Sequence, residues 1–440
     1  MKVDVTRSWK KFLVAGAAVA LVAGTVSAPA ANAAGTIKAD DDKWISIGMG
    51  LKTSFNAVEG QTPQGHYSND FAVDNARIYL NGKVHKNIGF EVTTECFNCG
   101  VGSSAYYGNT VTAGTPNGNN MPTGAGGVFG GNSSIGLLDA IGKIELTDSV
   151  NLWVGRMLLP TDRNTLNNAF YTASYSGLRD AAHSAGISPN FNAGSGLYGR
   201  DNAATIWGKV HPGGMHLLYA FAVSQGLRGA ANGGSSLMYT GRVQLNLLND
   251  EPMAGYYTAG TYYGTAGDIL AVGISGQHQK DGAGSFTDRS DVTNFSVDMM
   301  AEKLLPNNAG VLTFNGQFKR QWARYPQAAF GVVGDSMTNA GGCMCVFSGH
   351  SWSVQALYLI PAKIGVGRFQ PYAQYTAINP IESSGRNEWQ GGVNYVIDGH
   401  NARVALFYTY GDLKTKGINY ANSAAGDKVD SFHVALQLQY

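Results

Sequence analysis

The chain has 440 residues, with 31 Lys and Arg against 30 Asp and Glu; charged residues make up 14% and hydrophobic ones 44%. So even a balance excludes a nucleic-acid binder working through a basic field, and the apolar and aromatic content excludes a disordered chain. No run of about 20 apolar residues follows the N-terminus, which excludes a helical membrane bundle, while 59 Gly and 11% aromatics suit a secreted β protein or an outer-membrane barrel.

Lys2, Arg7, Lys10 and Lys11 precede an apolar stretch from Phe12 to Val22, and small residues then end in Ala31-Asn32-Ala33. This three-part pattern predicts a secretory signal peptide at 1–33, too short in its core to anchor the chain, and a single domain over 34–440. No Cys follows the cleavage site, which argues against a lipid anchor.

Period-two alternation then recurs along the chain. Ile45, Ile47, Met49 and Leu51 alternate with polar or small residues, as do Ala76, Ile78 and Leu80, then Leu138, Ala140, Gly142, Ile144 and Leu146. Strands are expected near 44–55, 72–84, 87–96, 135–146, 150–158, 200–210, 215–225 and 237–247. Eight more are expected near 267–279, 293–304, 311–324, 349–360, 367–378, 387–397, 402–411 and 430–440. Each is close to the ten or so residues that a tilted strand needs to cross a bilayer.

The connections alternate in length. Short ones include 85–86, 147–149, 211–214, 305–310, 361–366 and 398–401; long ones include 56–71, 97–134, 159–199, 226–236, 280–292, 325–348 and 412–429. The fold class expected is therefore all-β, a transmembrane antiparallel up-and-down barrel of about 16 strands with long extracellular loops, in the outer membrane of a Gram-negative bacterium. A soluble sandwich would need two or more domains, and no linker, repeat or composition break divides the chain. One connection breaks the pattern: 248–266 falls on the short side yet is long. Phe432, Val434, Leu436, Leu438 and Tyr440 alternate up to the last residue, like the signal by which such barrels engage the assembly machinery.

Four stretches resemble the phosphate-selective porin O/P family: Arg77 to Glu91 (RIYLNGKVHKNIGFE), Leu152-Trp153-Val154-Gly155-Arg156, Arg200-Asp201 leading into Trp207-Gly208, and Trp389-Gln390-Gly391-Gly392-Val393-Asn394-Tyr395. Their order spans nearly the whole mature chain. The resemblance implies a sixteen-stranded barrel, usually trimeric, whose third extracellular loop folds inward to narrow the pore. That makes Arg163, Arg179, Asp180, His183, Tyr171 and Tyr175 the constriction candidates.

Strand parity places Lys52, Arg77, Lys83, Lys143, Lys209, Arg242, Lys319 and Arg403 in the lumen, against Glu91, Asp139, Glu145, Asp298, Glu302 and Glu388. This is a weak basic excess, thinner than the rows of Arg and Lys in phosphate-selective relatives. The expected function is passive diffusion of small hydrophilic solutes with a weak preference for anions. The alternatives are a plugged barrel that binds at the surface, and a dedicated uptake pore for one nutrient such as phosphate. Partners expected are outer-membrane lipid and lipopolysaccharide, the assembly machinery, small solutes or anions, and two further copies in a homotrimer, with no nucleic acid.

Cys96, Cys99, Cys343 and Cys345 are disulfide candidates in an oxidising compartment, with a four-thiolate metal site as the sharper alternative. No metal and no cofactor is expected. The chain carries no G-x-S-x-G, H-E-x-x-H or Walker motif, and the nearest approach to a catalytic pair is His183 with Ser184 or Ser348 with His350. Neighbours along a strand point to opposite faces, so an enzyme is not expected.

Overall fold

The computed structural model describes residues 35–60, 62, 64–97, 134–179, 199–226, 235–284, 289–323, 348–381, 384–416 and 426–440. The expected signal peptide lies outside these residues, as do Asp180, His183, Cys99, Cys343 and Cys345. Cys96 is disulfide-bonded, and its partner lies outside them too.

Alternation becomes strand throughout. The first half carries β1 (Gly35–Asp40), β2 (Lys43–Val58), β3 (Ser68–His85), β4 (Ile88–Phe97), β5 (Ser134–Thr147), β6 (Val150–Leu158), β7 (Arg200–Val210), β8 (His216–Ser224) and β9 (Met238–Asn246). The second carries β10 (Ile269–Gly284), β11 (Arg289–Leu304), β12 (Val311–Ala323), β13 (Gly349–Leu359), β14 (Arg368–Pro380), β15 (Arg386–Asp398), β16 (Ala402–Gly411) and β17 (Val429–Gln439). Two single turns of helix, α1 (Arg163–Leu166) and α2 (Leu413–Lys416), follow β6 and β16.

From β2 to β17 each strand pairs antiparallel with the next, and β17 closes the ring on β2, with Ser431 opposite Val58 and Gln439 opposite Gly50. A closed ring satisfies its backbone polar groups without an edge, which is what a spanning sheet needs in hydrocarbon. The extra strand β1 folds back on β2, with Thr36 opposite Ser46, along the edge that β17 covers further up. The seam is closed by the last residue: Tyr440 and Met49 exchange both backbone hydrogen bonds, at 2.8 and 3.0 Å.

The barrel is apolar outside and polar inside. Phe71 is 79% exposed and Trp389 57%, and Ile47, Ile78, Ile206, Phe221, Val243, Ile274 and Leu406 face outward with them. In water such a belt is a liability; against lipid tails it is the required surface. Aromatics band its two ends: Tyr375 lies between Trp352 (5.0 Å) and Trp389 (4.5 Å), and Phe369 meets Tyr395 (5.0 Å) toward the other end. Leu138 departs from the expected lipid-facing set. It is the extra residue of a bulge between the Thr93–Asp139 and Thr94–Leu137 pairs, which shifts the phase and buries it completely.

Candidate pore constriction

The third long connection turns inward as it leaves β6, and Asp162 directs the turn. Its carboxylate caps α1, accepting the Thr165 N–H at 3.1 Å and the Thr165 hydroxyl at 2.8 Å, and it pairs with Lys319 of β12 at 3.1 Å. The backbone N–H groups of Arg163 and Asn164 donate to Asp298 and Gln317 on the wall, each at 3.1 Å. Past α1 the loop crosses to the opposite wall, where its carbonyls meet cations. Lys52 donates to Ala169 (2.9 Å) and Tyr175 (2.7 Å), and Arg403 to Thr172 (2.8 Å) and Ala173 (3.0 Å).

The anomalous connection from β9 to β10 also enters the barrel, from the other mouth. Its neck is closed by the Asn249 backbone and side-chain amides, both donating to the Asp268 carbonyl (3.2 and 2.9 Å). Inside, Tyr256 is fully buried, stacks near Trp153 (5.3 Å) and donates its hydroxyl to the Leu158 carbonyl at 2.6 Å. The Thr258 and Gly260 N–H groups donate to Leu166 and Tyr171 of the third loop, at 3.4 and 2.8 Å. Thr261 and Tyr262 both donate to Glu302 on the wall, at 2.8 and 3.0 Å. Two glycines permit this approach. Gly255 has φ +61 and a Cβ there would strike the Trp153 ring at 2.2 Å, and a Cβ on Gly260 would lie 2.5 Å from the Ala173 nitrogen.

Loop, segment and wall meet in one charge cluster. Arg163 grips Glu251 through two hydrogen bonds (2.6 and 2.8 Å) and donates to the Ala259 carbonyl at 3.0 Å. Arg242 grips Asp298 the same way (2.6 and 2.8 Å), and Lys319 holds Asp162. Three cations and three carboxylates therefore sit together, every side chain at most 5% exposed. Burial opposes the Arg163 charge, but Glu251 outweighs it and pushes the guanidinium pKa up.

Of the eight expected lumen cations, Lys52, Arg77, Arg242, Lys319 and Arg403 are buried, and five of the eight meet a carboxylate. Arg77 pairs with Glu95 (2.5 Å), Lys143 with Glu91 (2.6 Å) and Lys209 with Asp250 (3.0 Å). Lys83 lies at the rim, its ammonium on the Lys86 carbonyl at 3.4 Å. Lys52 and Arg403 end on the loop carbonyls already described. Of the constriction candidates, Arg179 pairs with Glu388 (2.7 Å), the Tyr175 hydroxyl donates to Asp74 (2.6 Å), and Tyr171 stands against His400 (5.2 Å). The residues that the sequence left unnamed are Glu251, Tyr256, Thr261 and Tyr262 of the inward segment, with Glu95 and Asp162. The available signal was the length of 248–266 and its tyrosines.

Ser348 and His350 form no pair. Ser348 donates to the Gln321 carbonyl, while His350 faces Arg320. Near the periplasmic end a cavity of about 480 Å³ lies between the inward segment and the turns after β13 and β15. Tyr171, Tyr263, His400, Lys363 and Arg368 help to line it. His400 donates Nε2–H to the Thr261 carbonyl at 2.9 Å; burial, with Arg403 nearby, pushes its pKa down to about 3.

A closed sixteen-strand ring with an apolar belt, a polar interior and an inward third loop defines the architecture. The fold is that of an outer-membrane porin. A high-pH structure of Pseudomonas putida OprB matches it with a TM-score of 0.54 at 8% identity, over 90% of this chain and 94% of that one. An anion-selective porin from Comamonas acidovorans aligns at a TM-score of 0.49 and 12% identity, over 90% and 99%. The outer-membrane channel DcaP of Acinetobacter baumannii aligns at 0.46 and 9%, over 92% and 99%. No model of a known family matches the sequence, and no curated protein matches it.

Proposed function

We propose that the mature chain, 34–440, is an outer-membrane channel for small hydrophilic solutes whose lumen is narrowed from both mouths. The observation that carries this reading is the neutral buried cluster in which Arg163 of the third loop, Glu251 of the periplasmic segment and Asp298 of the wall hold one another. An open sixteen-strand pore has water against its inner wall. Here Gln277, Asn294, Ser296, Gln355, Gln374 and Gln437 are all buried instead.

Breaking such a pair leaves an uncompensated buried charge and costs about 3–5 kcal/mol, so both insertions are fixed parts of the channel rather than loose lids. Passage is then selective and slow. A weak anion preference rests on Lys52 and Arg403, whose hydrogen bonds go to loop carbonyls rather than to carboxylates, while Arg163 and Arg179 are neutralised by carboxylates. A row of uncommitted basic side chains, which phosphate selectivity would call for, is not found among the described residues, so phosphate is not the proposed solute. A homotrimer through the apolar belt agrees with the family resemblance of the motifs.

The same filling of the lumen favours the second reading, a plugged barrel acting by surface binding. Planar-bilayer recording of the purified protein in a salt gradient decides between them. Small discrete steps with an anion-leaning reversal potential support the channel. Silence from a folded, heat-modifiable barrel rejects it.

A further inference from the structure

The turn joining β7 to β8 reads His211-Pro212-Gly213-Gly214-Met215-His216, and pairing of Val210 with Leu217 sets the two histidines opposite each other across it. The turn is preorganised: Gly213 and Gly214 take φ of 60 and 84, and the Met215 N–H returns to the Pro212 carbonyl at 3.1 Å. Both imidazoles turn the same atom inward. Their Nδ1 atoms are 2.8 Å apart, with the rings 79° from parallel.

We infer that this hairpin is a surface site for a divalent transition-metal ion, Cu(II) foremost, bound in cis by Nδ1 of His211 and Nδ1 of His216. Two nitrogens each about 2.0 Å from one metal are about 2.8 Å apart when they subtend a right angle, and about 3.3 Å in a tetrahedron. The observed spacing suits the square arrangement of Cu(II) or Ni(II) better than Zn(II), and the Irving–Williams order puts Cu(II) first. In the metal-free turn one Nδ1–H donates to the other ring's lone pair. On binding, that proton moves by way of water to the same ring's Nε2, so both Nδ1 lone pairs face the metal and no net proton is released. Water fills the remaining positions. No carboxylate or cysteine joins the pair into a larger cluster among the described residues, which suits an open site on the periplasmic rim.

The test uses the whole folded, tag-free barrel in detergent, titrated with CuCl2 and followed by calorimetry and by electron paramagnetic resonance. One saturable equivalent is expected, with hyperfine structure from two nitrogens. His211→Ala and His216→Ala should each weaken it by at least about tenfold, since losing a ligand costs no less than losing a supporting contact. His66→Ala, on the other side of the membrane, should leave it unchanged. Equal Cu(II) affinity in wild type and both turn variants overturns the site, as does the absence of saturable binding. These variants lie on an exposed turn, and heat-modifiable migration checks that each is folded.

Discussion

Arg163 is the side chain on which both insertions depend, and its removal gives the sharpest prediction. Arg163→Leu deletes both Glu251 hydrogen bonds and the one to the Ala259 carbonyl, leaving Glu251 buried with only the Tyr262 hydroxyl (2.6 Å) and Gln244 (2.7 Å) as donors. Stranding a charge in this way costs about 3–5 kcal/mol. The ring of strands does not depend on it, so the loss falls on the docking of 247–268 rather than on global unfolding. A cost of 3 kcal/mol multiplies the undocked population by about 150, at a tenfold per 1.4 kcal/mol. The Thr258, Gly260 and Tyr262 amides, all donors to groups outside the segment, should exchange hydrogen roughly two orders of magnitude faster. Arg163→Leu with Glu251→Leu removes both charges and should recover most of the protection, because an apolar pair often replaces a buried ion pair at little cost. Protection within threefold of wild type in the single variant would refute the claim that this pair holds the segment in place.

Other expectations follow from the same geometry. Gly260→Val drives a side chain into the Ala173 backbone, so loop and segment should part and single-channel conductance should rise. Lys52→Gln with Arg403→Gln should move the reversal potential toward cations, whereas Arg179→Gln with Glu388→Gln, which removes both charges of a pair, should barely move it. Acid should loosen the periplasmic side. His400 stays neutral in the fold down to about pH 3 against its ordinary 6.5, so its stabilising contribution is full above about pH 6.5 and is lost progressively as pH falls toward 3. Asp250 acts in the same sense: burial opposes its charge, but Lys209 outweighs this and holds its pKa below the usual carboxylate range, so its contribution is lost at lower pH still. Proteolytic cleavage of 247–268 should therefore speed up below about pH 6, and His400→Gln should flatten that dependence. Deleting Tyr440 removes two backbone hydrogen bonds from the β17–β2 seam and should reduce the yield of folded, heat-modifiable barrel.

Much of the barrel was legible because lipid on one side and polar groups on the other impose alternation on every strand. The expected limits of 150–158, 200–210 and 402–411 coincide with the strands found, while β10 and β11 run on to Gly284 and from Arg289, so the loop expected at 280–292 shrinks. β1 escaped because Ile37 is its one large apolar residue and all of it is exposed. The interior was far less legible. Inward parity picked out strand cations but not their partners, since Arg77 meets Glu95 and Arg242 meets Asp298 only after the ring has closed. A connection folded into a lumen has no period of its own, so the tyrosines of 247–268 marked it as unusual without saying where it goes.

The most direct test of a lumen narrowed from both mouths is single-channel conductance of the wild type beside a variant in which 250–266 is replaced by a short Asn-Gly turn. Small steps in the wild type and several-fold larger ones in the variant, with the third loop intact, are the result expected. Equal conductance in the two, or a wild type already as conductive as an open sixteen-strand porin, would contradict it.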